Sequence, residues 1–174
     1  VIENSKVRSY VKKTFEQIRQ NDPTLIVVSL SSCRLVRSKL KELNSALANN
    51  TVVRKIDLSN RGIHDAESSM SGLTKGLAEN ANVTAVDVSN NNCGLKAALA
   101  IEKLLKTNLN ITRFDISERV FQAFDRALLA HTLQSIQWLL NANYNYQAFK
   151  FGKSTDLVLS GRNYRQLVPR LLAG

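Results

Sequence analysis

Asp57, Asp87 and Asp115 recur at steps of 30 and 28 residues, each inside a short apolar-Asp-apolar-Ser run: I-D-L-S, V-D-V-S and F-D-I-S. In a strand, alternate residues face opposite ways, so the three aspartates share one face and their apolar neighbours the other. On adjacent parallel strands ~4.8 Å apart, two carboxylates repel by roughly 0.9 kcal/mol even in water. Paired carboxylates at such spacing serve as acid and base in glycoside hydrolysis, and three begin an oxygen site for a hard cation. Neither chemistry is expected here. An open sheet offers no pocket, no His lies near in sequence, and Lys55 and Arg113 stand two residues ahead on the same face, offsetting the repulsion and opposing a metal. The expected role is a mixed-charge binding surface comprising Arg54, Lys55, Asp57, Thr84, Asp87, Thr112, Arg113, Asp115 and Lys150. No catalytic residue, metal or cofactor is expected, and the chain is read as no enzyme.

Other reactive side chains add little. His64 and His131 stand alone, and no H-x-x-x-H, C-x-x-C, phosphate-loop or nucleophile-elbow motif occurs. Cys33 and Cys93 sit at different points of their local pattern, so both are read as buried free thiols of a reducing compartment rather than a disulfide. Twenty-four Lys and Arg against 14 Asp and Glu leave a net charge of +10. That balance points to an acidic partner, yet the basic residues are scattered and form no long run. No apolar stretch has the length of a membrane span. Val1 is not an initiating Met, so a fragment or processed chain is expected, acting inside the cell.

The elements that position the aspartates repeat with them. Leu25–Cys33, Val53–Arg61, Val83–Cys93 and Ile111–Arg119 share one spacing, and a weaker copy runs from Tyr146 to Phe151. Their second inward apolar residues fall at 30, 58, 88, 116 and 151, a step near 28 until the last. A fixed step of this size marks a stacked repeat. The inward pairs are Val28/Leu30, Ile56/Leu58, Val86/Val88 and Phe114/Ile116. A helical half follows each strand: Leu40, Leu43 and Leu47; Met70, Leu73 and Leu77; Ile101, Leu104 and Leu105. Each half closes on an Asn, at 50, 80, 108 and 143, six residues before the next inward strand position. The spacing predicts a parallel sheet with helices on one side.

The ends differ from the middle. Val7, Val11, Phe15 and Ile18 line one face of a helix over residues 1–22, which Asn21-Asp22-Pro23 stops; such an element covers the open edge of a first repeat. Residues 23–151 form about five repeats and 152–174 a terminal cap, the whole being one domain. The long fourth helix has Leu129, Leu133, Ile136 and Leu140 as its buried stripe, which leaves Trp138 and Tyr144 as exposed aromatic anchors. Phe149 and Phe151 fall at inward repeat positions and are expected in the core.

These residues resemble leucine-rich repeats, with a step like that of the ribonuclease-inhibitor type. The pattern L-x-x-L-x-L-x-x-N/C-x-L is met at Leu25–Leu35 and Val83–Cys93, while Arg61 and Arg119 replace the turn Asn in two units. The likeness implies an α/β solenoid whose curved sheet binds a partner protein. The leading helix ending I-R-Q-N-D-P-T-L and the N-T-V-V-R-K-I strand are also similar to the C-terminal half of tropomodulin, which implies a place at the pointed end of actin filaments. Bacterial effectors delivered into host cytosol use the same repeat, and the Asn-rich, Pro-poor composition suits them. The function expected first is therefore protein binding through the concave face, possessed by an effector or by a host protein. Actin binding of tropomodulin type is the alternative, nucleic-acid binding through the basic surface a lesser one, and an adaptor whose catalytic part lies elsewhere another.

Overall fold

The computed structural model describes residues 5–30, 37–60, 67–91, 93–116 and 126–153. Among these, helix α1 (Ser5–Arg19) leads into four strand–helix pairs: β1 (Val27–Ser29) and α2 (Arg37–Ala48), β2 (Lys55–Asp57) and α3 (Glu67–Glu79), β3 (Ala85–Asp87) and α4 (Leu95–Leu105), β4 (Arg113–Asp115) and α5 (Arg126–Lys150). The strands form one parallel sheet in chain order, and each helix packs on the next. Cys33, His64, Arg61, Arg119 and all but the first two residues of the expected terminal cap lie outside the described residues.

The strand register follows the repeat. Val28, Ile56, Val86 and Phe114 stand side by side and are buried, as are Leu30, Leu58 and Val88 two residues on. Helical residues Leu40, Leu43, Leu47, Met70, Leu73, Leu77, Ile101, Leu104 and Leu105 close the other side of the same core. Each such side chain stabilises the fold by about 2 kcal/mol when taken from water. Cys93 is buried within it.

The repeat Asn residues join one unit to the next. Asn80 donates from Nδ2 to the carbonyls of Leu47 (2.7 Å) and Asn50 (2.9 Å), while its Oδ1 accepts from the backbone N–H of Asn82 and Val83, both at 2.8 Å. Asn108 repeats the arrangement on Leu77, Asn80, Asn110 and Ile111. Asn50 does so on Ile18, Val52 and Val53, and thereby ties α1 to the first turn. All three are buried. A buried backbone group must find a partner, and here one amide serves the end of a helix and the start of a strand together. Asn91, at the consensus turn position, is likewise buried and donates to the carbonyls of Leu58 and Val88.

α1 ends by the left-handed residue Asn21 (φ 52°), with Asn21 N–H bonded to Ile18 O and Asp22 N–H to Gln17 O. This paired closure satisfies the last carbonyls. α1 packs Val11, Phe15 and Ile18 into the core, and Tyr10 Oη donates to the Ser29 carbonyl of β1 (2.9 Å).

The fifth strand expected at Tyr146–Phe151 is overturned, because α5 continues through Lys150. Two features explain it. Asn143 and Gln147, one helical turn apart, dock on the Asn108–Ile111 turn through Asn143 Nδ2 to Asn108 O and Ile111 O and Gln147 Nε2 to Leu109 O. The helix then stops at Gly152 (φ 67°), where Gly152 N–H reaches Phe149 O and Lys153 N–H reaches Ala148 O; only glycine takes that backbone freely. Phe149 and Phe151 consequently are exposed, at 45% and 68%, and not core residues.

Candidate protein-binding face

The outer face of the sheet carries two columns. One is Ser29, Asp57, Asp87 and Asp115 in direct register; the other is Val27, Lys55, Ala85 and Arg113. Three strand gaps make the face ~14 Å across, against the ~20 Å that five strands would have spanned. The repeat spacing therefore stacked the aspartates as expected, on a narrower sheet.

Their carboxylates are occupied by local structure. Asp57 Oδ1 accepts from Ser59 N–H and Oγ, and its Oδ2 accepts from Ser29 Oγ at 3.1 Å. Asp87 Oδ1 takes Ser89 N–H at 2.8 Å. Each thus closes the turn after its own strand, a bond that Asp forms readily with the backbone two residues on. Asp115 instead accepts from Arg113 Nε at 2.7 Å, a pair exposed at 72% and 37%. Among the described residues no three His, Cys, Asp or Glu side chains are placed to share a metal ion.

The remaining predicted site residues divide. Lys55 and Arg113 are exposed in one column of the sheet. Arg54 donates to the Asn82 carbonyl and side chain. Thr84 and Thr112 turn their hydroxyls onto the carbonyls of Arg54 and Thr84, the residues just before β2 and β3. These three couple repeats to one another. Lys150 does not join the face: with no fifth strand, it lies at the end of α5 over the Tyr146 ring, 6.0 Å from its centroid. Trp138 is half-buried against the core and is not an exposed anchor. Residues Ser135, Leu139 and Ala142 are buried besides the expected stripe, so α5 is covered over a wider arc than its leucines implied. Tyr144 is exposed, at 64%.

Sequence reasoning missed the apolar corner of the face. Ile26, Val27 and Tyr10 are about half exposed around β1. The signal was present in the run Leu25-I-V-Val28, four apolar residues where the sheet buries only alternate ones.

Electrostatics elsewhere are structural. Burial pushes the Glu102 carboxyl up, but hydrogen bonds from Lys106 and Ser135 (2.7 Å from its Oγ) outweigh that and hold it below its ordinary value of 4.5. Glu42, between Arg19 and Lys39, behaves likewise and links α1 to α2. No helix among the described residues is long and apolar enough to cross a membrane.

A parallel strand–helix array of leucine-rich type, with a polar outer sheet face, is the class of structure defined here. No family model matches the chain. Over 139 residues, 78% of its length, the chain is 30% identical to the human capping protein, Arp2/3 and myosin-I linker protein 3, of which that match spans 10%. It is 27% identical over 140 residues to mouse leiomodin-2, covering 25% of that protein. The chain therefore spans about a tenth to a quarter of these curated relatives. Among solved structures, leiomodin-1 actin-binding site 2 superposes with a TM-score of 0.55 at 20% identity, covering 81% of this chain and 93% of that one. The tropomodulin C-terminal domain of Caenorhabditis elegans gives 0.52 at 15% identity, covering 83% and 99%. The chain has the fold of these domains, and the tropomodulin likeness seen in its sequence extends to the structure.

Proposed function

We propose that this chain is a non-enzymatic protein-binding domain whose partner is actin. The observation that carries the reading is coverage: the repeat array matches nearly the whole of leiomodin-1 actin-binding site 2, 93% of it, rather than a shared fragment. The partner meets the sheet face. Lys55 and Arg113 steer the encounter by charge, and the exposed corner of Tyr10, Ile26 and Val27 supplies the apolar contact from which affinity comes. In this reading α1 shields the first repeat, and the array with its two ends is one domain. The two curated relatives named above are mammalian, a solved neighbour is from a nematode, and two names among the matches refer to actin or its capping machinery, which favours this reading over delivery by a bacterium.

The test is filament growth measured separately at the two ends, with purified actin and the chain at moderate salt. Slowed growth at one end is expected, and it should be relieved by the pair Lys55→Glu and Arg113→Glu. The same reversals at Lys12 and Lys41, exposed on α1 and α2, should leave it intact. Equal effects of both pairs would remove the sheet face from the proposal, and no association with actin monomer or filament would remove actin. A second reading rests on the 30% identity to a linker protein: the domain holds another protein of the same machinery and does not touch actin. Capture of capping protein in place of actin would select it.

A further inference from the structure

A second surface lies on the opposite, helical side of the molecule. Between α3 and α4 runs an open groove of about 630 Å³ whose lining is mainly apolar. Ala78 and Ala100 are small residues at its walls, Leu99 stands 41% exposed beside them, and Lys75, Lys96 and Lys103 ring it. The neighbouring junction shows why the groove is exceptional. Between α2 and α3, Gly76 lets the helices close: an added Cβ there would lie 2.5 Å from the Asn44 carbonyl oxygen. Across α3 and α4 the small residues Ala78 and Ala100 line the open space instead.

Charge says what fills it. Lys75 on α3 and Lys96 and Lys103 on α4 line the groove with a single carboxylate, Glu79 on α3, and no ion pair among the described residues engages any of the three lysines. On the other side of α4 the situation is opposite, since Glu102 is held by Lys106 and Ser135. α4 is 11 residues long, giving a trough ~16 Å long at 1.5 Å per residue. We infer that this groove docks an acidic amphipathic helix of a partner protein. Apolar side chains at i, i+3, i+4 and i+7 of that helix enter beside Leu99 over the two alanines. Its flanking carboxylates meet the lysines. A nucleic acid would answer the charges but not the apolar floor. The surface is distinct from the sheet face and does not depend on the actin reading.

The probe is a synthetic helix of ~15 residues, long enough to be marginally helical alone, with leucines on one stripe and glutamates on both flanks. Binding is followed by fluorescence anisotropy, and its location by backbone amide shifts of the labelled chain. Saturable binding is expected, with shifts centred on Ala78, Leu99 and Ala100. The triple variant Lys75→Glu, Lys96→Glu, Lys103→Glu should weaken it about tenfold or more, which is ~1.4 kcal/mol or more. Leu99→Glu, at a surface position that leaves the core untouched, should do the same, with thermal melting confirming that both variants fold. Lys55→Glu with Arg113→Glu should leave it unchanged. The proposal is overturned by absence of binding, by shifts on the sheet face, or by equal binding of a glutamate-rich helix lacking the leucines. Equal affinity for single-stranded DNA of the same charge would overturn it as well.

Discussion

Asn80 and Asn143 occupy the same place in the repeat, yet they do different amounts of structural work. Asn80 uses both ends of its amide, bonding two carbonyls behind it and two N–H groups ahead. Asn143 keeps only the backward half: Nδ2 donates to Asn108 O and Ile111 O, both at 2.9 Å, while its buried Oδ1 has no partner among the described residues. The cause is the path of the chain beyond each residue. After Asn80 the chain turns into β3 and presents free N–H groups; after Asn143 it stays helical, and those N–H groups are spent inside α5. The same side chain is thus a two-way clamp within the array and a one-way latch at its end. A repeat stays open to a successor only where its final turn leaves the helix.

This contrast can be broken at its strong point first. Asn80→Ala strips four hydrogen bonds, three of them buried, and leaves their backbone partners unsatisfied, so a loss on the order of 4 kcal/mol is expected in urea unfolding. A loss no larger than that of a surface substitution would mean that water replaces the amide. Asn143→Ala removes two bonds and also an orphaned acceptor, and should cost about 1–2 kcal/mol. If its cost equals that of Asn80→Ala, the two sites are equivalent and residues 144–151 behave as a strand after all.

Smaller effects sharpen the picture. The Glu102 carboxyl titrates below its ordinary value in the fold, so its contribution is complete above pH ~4.5 and is lost as pH falls through the folded value. Glu102→Gln should therefore lower stability at neutral pH by under about 1 kcal/mol, with the gap to the parent closing as pH drops below the ordinary value of 4.5. A gap that widens in acid would reverse the assigned sign. Phe151→Ser is the weakest perturbation: at 68% exposure it should change stability by no more than ~0.5 kcal/mol. A cost of several kcal/mol would place Phe151 in the core, as the repeat spacing by itself suggested.

Much of the fold was legible in the residues because the repeat states it several times. Val28, Ile56, Val86 and Phe114 could be aligned before any coordinates, and the Asn at 50, 80 and 108 set the register that the sheet adopts. The aspartate column was legible by the same alternation. Its bonds to Ser59 and Ser89 were not, since a turn's geometry decides whether an outward carboxylate faces solvent or its own backbone. Trp138 was misplaced because a single apolar stripe presumes one packing neighbour, whereas α5 is covered over a wider arc. Lys150 was misplaced with its strand.

The sequence by itself determined the period, the inward residues and the parallel order of β1 to β4, because strand alternation and helical spacing are local properties that a pattern of apolar residues encodes directly. Tertiary structure alone decided where the pattern ends. At Asn143 the strand-like spacing and the helix compete, and the outcome turns on Gln147 meeting Leu109 and on Gly152 closing the last turn. It alone also opened the groove between α3 and α4, because the gap between two helices depends on which small residues face each other across them, a pairing that sequence distance does not record.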